Sequence, residues 1–229
     1  MKVAVLGIDF PLGKVPFLDL RLEKLRNLLH SIEVVHIQVE FQDQNHLKTA
    51  DAVLCAEEEK IDLVLEDLEI IETKLNSSPH QPLFLRCKEA LEKEIILNEV
   101  PLTDEEKKLL SGLNLVTLKP IISVKKDNLP AVPELVQKIL SDCGMISFFT
   151  ANERQLRAWL IKKGTSVYAA AGNIHSDIQK GFIKAEVIAY EDLIKSGGLN
   201  QARGRGLVRL EDKDYTVKDG DLIQIRFNV

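Results

Sequence analysis

A phosphate-binding loop is missing from the place where the sequence first suggests one. Residues 2–7 form a strand-like run that ends at Gly7, but five residues rather than four separate Gly7 from the next glycine, and Val15 stands where Mg²⁺ needs a hydroxyl ligand. Pro11 also removes one of the backbone N–H groups that would converge on the β-phosphate. These departures argue against an NTPase.

Cysteine is scarce, and no hydrophobic run is long enough to span a membrane. Cys55, Cys87 and Cys143 are widely spaced and are not placed with histidine at metal-ligand intervals, so we interpret them as buried thiols and expect no metal site. No stretch approaches the about 20 apolar residues of a transmembrane helix, and Met1-Lys2 leads into a strand rather than a signal peptide. We therefore expect a cytoplasmic protein without a membrane partner.

The charge is divided unevenly along a chain of 229 residues, which is long enough for one large or two small domains. Residues 148–229 carry 13 basic and 10 acidic residues, a net charge of +3, whereas residues 1–147 carry 17 and 25, a net charge of −8. This asymmetry suggests that the C-terminal part meets an anion such as nucleic acid, although a net charge of +3 is equally typical of a plain solvated surface.

Strand and helix patterns alternate in the first part of the chain. Short apolar, β-branched runs predict buried strands at 3–6, 34–41, 52–55 and 120–124, and leucines at helical spacing predict a helix at 20–30. Two amphipathic patterns, 57–75 and 83–97, separated by the turn Asn76-Ser77-Ser78-Pro79, predict a helical hairpin. Thr103 to Glu106 reads as a capping box that starts another helix.

The pattern changes after Gly144. Strands are expected near 145–150, 153–161, 182–190 and 222–227, with a helix of small residues at 165–172, a glycine-punctuated loop at 197–206 and a tight turn at Asp219-Gly220-Asp221. Short strands of a mixed sheet around one helix, in about 80 residues, are typical of a β-grasp module.

The C-terminal block is where a family resemblance becomes specific. The segments FFTANERQLRAWLIKKGTSVYAAAGNIHSDIQKGFIKAEVIAYEDLI and VRLEDKDYTVKDGDLIQIRFNV resemble the C-terminal TGS domain of the YchF / Obg-like ATPase family over nearly all of residues 145–229. Upstream, VPFLDLRLEKL, VEFQD, DLEIIETKL and LTDEEKKLLSGLNLVTLKPIISV resemble further pieces of the same family. The resemblance implies an α/β fold: a degenerate P-loop-type domain at 1–144 with a helical hairpin inserted at about 57–112, then a β-grasp TGS domain at 145–229.

The nucleotide-reading elements of the family do not align with matching residues here. The resemblance places Gly13-Lys14 in the second strand rather than in a phosphate loop, and His46 falls on the switch II glycine that should follow Asp43. The family's base-reading Asn-x-x-Glu falls on Lys126 and Leu129. Because phosphoryl transfer depends on such positioning groups, the sequence favours a protein that is not an enzyme, with no cofactor and no bound nucleotide.

Two functions therefore remain open from the sequence. We favour a non-catalytic pseudo-GTPase scaffold whose TGS domain docks on RNA, the ribosome or a translation-associated partner, because the resemblance implies an RNA-binding or ribosome-associated protein. The alternative is a residual GTP- or ATP-binding protein or weak ATPase of the same family. A protein partner is also compatible with this sequence.

Candidate binding residues lie mainly in the basic C-terminal part. Lys and Arg neutralise phosphates, and exposed aromatic rings stack on unpaired bases, but Trp159 and Phe182 sit in strand patterns that favour a place in the core. The RNA- or partner-binding candidates are Arg154, Arg157, Lys162, Lys163, Lys180, Lys184, Arg203 and Arg205. A second, less favoured hypothesis assigns a metal or small anion to Asp9, Asp43 and His46, whose plain interpretation is a polar strand end.

Overall fold

The computed structural model describes residues 1–31, 33–76 and 79–228, and within them the chain forms eleven strands and nine α-helices. The strands are β1 (Lys2–Leu6), β2 (Gly13–Phe17), β3 (Glu33–Val35), β4 (Ile37–Gln42), β5 (Ala52–Ala56), β6 (Ile121–Val124), β7 (Met145–Ala151), β8 (Gln155–Lys162), β9 (Phe182–Ala189), β10 (Arg209–Glu211) and β11 (Asp221–Phe227). The helices are α1 (Leu20–Leu29), α2 (Lys60–Leu75), α3 (Gln81–Leu91), α4 (Asp104–Ser111), α5 (Val132–Asp142), α6 (Val167–Ile174), α7 (Ser176–Lys180), α8 (Tyr190–Ser196) and α9 (Leu199–Gly204).

The strands form two sheets, and this is the mixed α/β architecture that the sequence predicts. The first sheet has the order β2-β4-β1-β5-β6, in which β1 runs parallel to both β4 and β5, and β5 runs parallel to β6. The second sheet has the order β10-β9-β11-β7-β8-β3 and mixes parallel with antiparallel pairs. No helix in the described ranges is long and apolar enough to cross a membrane.

Two compact units emerge from the internal contacts, one made of Met1–Val15 with Gln38–Leu135 and the other of Pro16–Ile37 with Val136–Val229, over their described residues. We call them unit 1 and unit 2. The predicted division into domains 1–144 and 145–229 stays a prediction about independent folding. The two units differ from it chiefly because residues 16–37 belong with the C-terminal part.

Unit 1 contains the helical hairpin that the sequence predicts. Apolar side chains of α2 and α3 share one cluster, in which Ile71 and Cys87 have no exposed surface. The carboxylate of Asp67 on α2 is also buried, and it accepts hydrogen bonds from the backbone N–H of Val116 (3.2 Å) and of Thr117 (2.7 Å). Of the predicted turn Asn76-Ser77-Ser78-Pro79, residues 77 and 78 lie outside the described residues.

The second sheet carries apolar side chains on both faces. Successive strand residues point to opposite faces, so the neighbouring residues Phe148 and Phe149 of β7 enter two different clusters. Phe148 packs with Val167 and Ala170 of α6. Phe149 packs with residues from α1, α8 and α9, among which Leu25 has no exposed surface. Helices therefore cover both faces of this sheet.

Three secondary-structure predictions are wrong. The run predicted as one strand at 34–41 forms β3, which pairs with β8, and β4, which pairs with β1, so the chain changes sheets near His36. The helix predicted to 97 ends at Leu91, because the backbone turns left-handed at Glu94 (φ 59°). The loop predicted at 197–206 contains α9, whose Ala202 is buried in the cluster with Phe149.

The capping prediction is confirmed. Thr103 caps α4 by accepting a hydrogen bond from the backbone of Glu106 at 3.2 Å, and the Glu106 side chain accepts one from the backbone of Thr103 at 2.8 Å. This reciprocal pair fixes the start of α4.

Replacement of Leu25 by alanine should destabilise unit 2 strongly. Leu25 of α1 has no exposed surface, so Leu25→Ala is expected to lower the free energy of unfolding by about 2–5 kcal/mol through lost burial and a residual cavity. Leu20 of the same helix is 82% exposed, and Leu20→Ala should change stability by less than about 0.5 kcal/mol. Equal effects of the two changes in urea unfolding would contradict the placement of α1 on the sheet.

Candidate nucleic-acid interface

The basic residues predicted from the sequence all lie in unit 2, where they belong to several different strands, helices and turns. Lys162 and Lys163 are exposed where β8 ends, Lys180 is exposed where α7 ends, and Arg205 is exposed after α9. Arg154 is exposed in the turn between β7 and β8. These five side chains are solvated cations that are free to meet an anionic partner.

Three further members of the predicted set are engaged within the protein. Lys184 of β9 forms an ion pair with Asp212. Arg157 of β8 stacks its guanidinium 4.1 Å from the centroid of the Trp159 ring, which is a cation–π contact. The indole N–H of Trp159 in turn donates to the hydroxyl of Thr150 at 2.9 Å, so the ring is held in place. Trp159 and Phe182 both pack against the cluster around Phe148, as the sequence predicts.

Arg203 is held by a carboxylate that sequence reasoning missed. Glu186 of β9 accepts a hydrogen bond from Arg203 Nη2 at 2.9 Å through Oε2, and its other oxygen accepts from Arg226 Nε at 2.8 Å and from Arg226 Nη2. The hydrogen bond from Arg226, followed by that from Arg203, lowers the pKa of Glu186 below its ordinary value. We call Arg203, Glu186 and Arg226 the arginine clamp.

The clamp residues share one face of two paired strands. Glu186 lies opposite Gln224 in the pairing of β9 with β11, so Arg226, two residues further along β11, lies on the same face as Glu186. Arg203 reaches this face from α9. The alternation of Gln224 and Arg226 with the apolar Ile223 and Ile225 is the sequence signal that could have identified Arg226 as an outward-facing partner.

A second arginine contact lies on the neighbouring strand β10. Arg209 places its guanidinium 5.2 Å from the ring centroid of Tyr215 and donates to the Tyr215 hydroxyl at 3.0 Å. Tyr215 donates to Asp221, a buried carboxylate whose pKa is raised mainly by its burial. Arg209 also pairs with Glu211 at 3.2 Å.

In unit 1, acidic residues occupy the carboxyl-terminal edge of the first sheet, where open parallel sheets commonly bind ligands. Glu57, Glu58 and Glu59 directly follow β5. Gly7, after β1, has a φ of +70°, and a Cβ atom there would lie 2.3 Å from the Glu59 side chain, so only glycine allows this approach. Glu59 pairs with Lys126 at 3.6 Å.

The alternative set Asp9, Asp43 and His46 lies in the same unit. Asp43 caps a short 3₁₀ helix after β4, accepting from the backbone of Asn45 at 3.0 Å, and its carboxylate lies 2.9 Å from His46 Nδ1. The hydrogen bond with His46 lowers the pKa of Asp43. Across residues 1–31, 33–76 and 79–228, no group of three or more His, Cys, Asp or Glu side chains is arranged to hold a metal ion. A ligand at this set stays a hypothesis.

Comparison with known proteins identifies the family. The family model for the YchF GTPase C-terminal domain, described as a protein of unknown function (DUF933), matches residues 145–228. The ribosome-binding ATPase YchF of Bacillus subtilis (strain 168) is 32% identical over an alignment 267 positions long, gaps included, which covers 86% of this chain and 73% of that protein. The chain belongs to the YchF / Obg-like ATPase family. This confirms the resemblance inferred from the sequence.

Other relatives match mainly through the C-terminal part. Human Obg-like ATPase 1 is 42% identical over 98 residues, which cover 43% of this chain and 25% of that protein. The YchF of Mycoplasma genitalium, also named a ribosome-binding ATPase, is 40% identical over 123 residues, which cover 53% of this chain and 34% of that protein. The solved structure of the Schizosaccharomyces pombe YchF GTPase has a TM-score of 0.77 and 17% identity, covering 93% of this chain and 86% of that chain. That likeness confirms the predicted fold class.

The same comparisons correct the prediction that the chain is not an enzyme. The relatives are named ATPases or, in the solved structure, a GTPase, and the Bacillus subtilis protein matches this chain over most of both lengths. The prediction rested on three local departures from the family pattern, in the phosphate loop, at the switch II glycine (His46) and in the base-reading motif (Lys126 and Leu129). The overall match therefore favours the alternative that the sequence left open, a nucleotide-binding or weakly hydrolytic family member, over a pseudo-GTPase.

The arginine clamp should make stability depend on pH. A carboxylate whose pKa is lowered by folding stabilises the folded state above its unfolded pKa of about 4.3, and this contribution is lost as the pH falls through the folded value. Glu186→Gln should therefore reduce the free energy of unfolding by at most about 1 kcal/mol at pH 7, and this deficit should shrink as the pH falls through the folded pKa of Glu186. Urea unfolding at several pH values measures this difference.

The matched control is Glu153→Gln, which neutralises an exposed carboxylate in the turn between β7 and β8. It should not show a deficit that disappears on acidification. A Glu186→Gln deficit that does not shrink even in strong acid, well below the ordinary glutamate pKa of about 4.3, would contradict the ion-pair explanation.

Proposed function

We propose that this chain binds the ribosome through the basic surface of unit 2 and retains weak nucleotide binding with slow hydrolysis. The observation that carries the proposal is the 32% identity with a relative named ribosome-binding ATPase, over 86% of this chain and 73% of that protein. The ribosome contact implies that the protein works in the cytoplasm.

The exposed cations of unit 2 support an RNA contact. Ribosomal RNA presents a dense array of phosphates, and each lysine or arginine that neutralises a phosphate releases counterions. Lys162, Lys163 and Arg205 are exposed. The excess of positive charge at 148–229, +3 against −8 in the rest of the chain, favours this end of the protein as the contact surface.

The nucleotide proposal rests on the names of the relatives, and the geometry of unit 1 supports weak affinity. Glu59 lies against Gly7 at the edge of the first sheet, where a phosphate would approach. Lys126 is the nearby cation, and it is paired with Glu59. A polyphosphate at this edge would be repelled by the carboxylate and would compete with it for the lysine.

We expect ATP and GTP to bind with millimolar dissociation constants in the presence of Mg²⁺. Glu59→Gln removes one negative charge and releases Lys126, so it should tighten ATP binding by roughly threefold, about 0.7 kcal/mol. Isothermal titration calorimetry measures the dissociation constants of the wild type and of Glu59→Gln. Release of inorganic phosphate measures hydrolysis, whose rate should be slow but above the rate without protein.

Lys126→Gln should weaken ATP binding, since it removes the cation at this edge. Replacement of an equally exposed lysine elsewhere, Lys93→Gln, should leave the affinity unchanged. Micromolar affinity in the wild type would contradict the weak site, and hydrolysis equal to the blank would contradict the proposed activity.

Association with ribosomes should weaken as salt rises and should require the exposed cations of unit 2. Lys162→Glu, Lys163→Glu and Arg205→Glu together are expected to abolish co-sedimentation with ribosomes at 100 mM salt, because each lost contact with duplex RNA lowers the slope of log affinity against log salt by about 0.9. The three residues are exposed, so the fold should be unchanged.

The control carries the same change of charge at other exposed lysines of unit 2, with Lys195→Glu, Lys213→Glu and Lys218→Glu. It should keep most of the ribosome binding. Equal losses in the two variants would indicate a general charge effect. Ribosome binding that is unchanged in both variants and at all salt concentrations would indicate that unit 2 contacts a ribosomal protein rather than RNA.

A further inference from the structure

A cavity of about 240 Å³ lies at the arginine clamp, where Arg203 of α9 meets Glu186 and Arg226 of the second sheet. Its walls combine the three clamp residues with Arg209 and the apolar side chains Val208 and Leu210. Two guanidinium groups, those of Arg203 and Arg226, thus face the carboxylate of Glu186, whereas the guanidinium of Arg209 lies against Tyr215 and Glu211. Leu210 is 54% exposed, so the cavity opens directly to solvent.

The carboxylate fixes the two clamp guanidiniums without using all of their donors. The side chain of Glu186 is only 14% exposed, whereas those of Arg203 and Arg226 are 45% and 58% exposed. Within the described chain Arg203 donates only through Nη2, to Glu186 and more distantly to Gln224, and Arg226 donates through Nε and Nη2. The remaining N–H groups, Nε and Nη1 of Arg203 and Nη1 of Arg226, are available to a ligand.

The charge and shape of this cavity suit a phosphodiester. A guanidinium matches a phosphate bidentately, and the two clamp guanidiniums opposite the single carboxylate of Glu186 leave a positive excess. Side chains already held by Glu186 lose less conformational entropy on binding than free arginines. The apolar Val208 and Leu210 give the adjoining sugar or base a surface to contact.

We propose that Arg203 and Arg226 bind a backbone phosphate of RNA, and that Glu186 is the positioning residue for both clamp arginines. The proposal rests on the proposed ribosome contact for its choice of RNA. It adds a second, structured site to the scattered exposed cations, with residues that the sequence did not identify.

The test measures binding of a labelled 12-nucleotide oligouridylate to the full chain in a salt series. Arg203→Gln with Arg226→Gln should weaken binding at least tenfold at 50 mM salt and should reduce the slope of log affinity against log salt by about 1.4, because two contacts to a single strand are lost. The control pair, Lys195→Gln with Lys213→Gln, removes the same charge and should change affinity by less than threefold.

Glu186→Gln separates positioning from simple charge. If Glu186 only opposes an anion, its neutralisation must tighten oligouridylate binding. If it positions the arginines, the variant should bind about threefold more weakly while the salt slope stays that of the wild type, since both arginines remain. Unchanged or tighter binding by this variant would overturn the positioning role.

A measurement on the wild-type protein covers the case in which the double variant does not fold. Phenylglyoxal modifies accessible arginines, and oligouridylate should protect Arg203 and Arg226 in peptide mass spectrometry while polyglutamate at equal charge should not. Equal protection by polyglutamate would show that the site takes acidic protein segments, and absence of protection by oligouridylate would overturn the proposal. Ribosome co-sedimentation that persists in the double variant would refute this site alone, whereas its absence in the wild type would refute the proposed function.

Discussion

The requirement to cover both faces of the second sheet governs the structure of unit 2. The segment from β7 to β11 supplies α6 for one face and α8 with α9 for part of the other, and α1 arrives from more than a hundred residues earlier to complete that second face. Arg21 of α1 secures this helix, since it donates to Asp219 at 2.7 Å and to Asp19, the N-cap of α1, at 2.7 Å. Burial lowers the pKa of Arg21, but the hydrogen bonds to these two carboxylates outweigh it and raise the pKa overall.

This requirement also explains which parts of the fold the sequence could predict. Periodicity identified the hairpin, α1 and most strands, because each pattern is local and its apolar spacing reports burial directly. It could not show that α1 belongs with the C-terminal sheet, or that residues 34–41 divide between two sheets, since the choice of partner is a tertiary property. The glycines at 197–206 were interpreted as loop signals, yet the burial of Ala202 is enough to hold α9.

The candidate site likewise contains residues that the sequence could identify and residues whose roles depend on the tertiary structure. Exposed cations such as Lys162 and Lys163 could be identified from charge alone, because a strand end or turn leaves a lysine in solvent. Charge alone could not separate them from Lys184 and Arg203, whose partners Asp212 and Glu186 lie 28 and 17 residues away in sequence. The alternation within β11 indicates that Arg226 faces outward, but its pairing with Glu186 depends on the register of β11 against β9, which the sequence of β11 alone does not give.

The two units place opposite electrostatic conditions at their candidate ligand sites. In unit 1 the carboxylate of Glu59 lies beside Gly7 at the strand edge and is paired with Lys126. A phosphate that approaches this edge is repelled by Glu59, and it can gain the attraction of Lys126 only when that ion pair breaks. In unit 2 the single carboxylate of Glu186 holds two arginines, Arg203 and Arg226, in place. It weakens their attraction for a phosphate, but it also reduces the conformational entropy that the two side chains lose when a phosphate binds. A glutamate therefore disfavours phosphate binding in unit 1, whereas in unit 2 a glutamate positions the arginines that would bind the phosphate. The difference lies in how many guanidinium N–H donors remain once the carboxylate has its hydrogen bonds, which is why we place the proposed contact with nucleic acid at the arginines rather than at the strand edge.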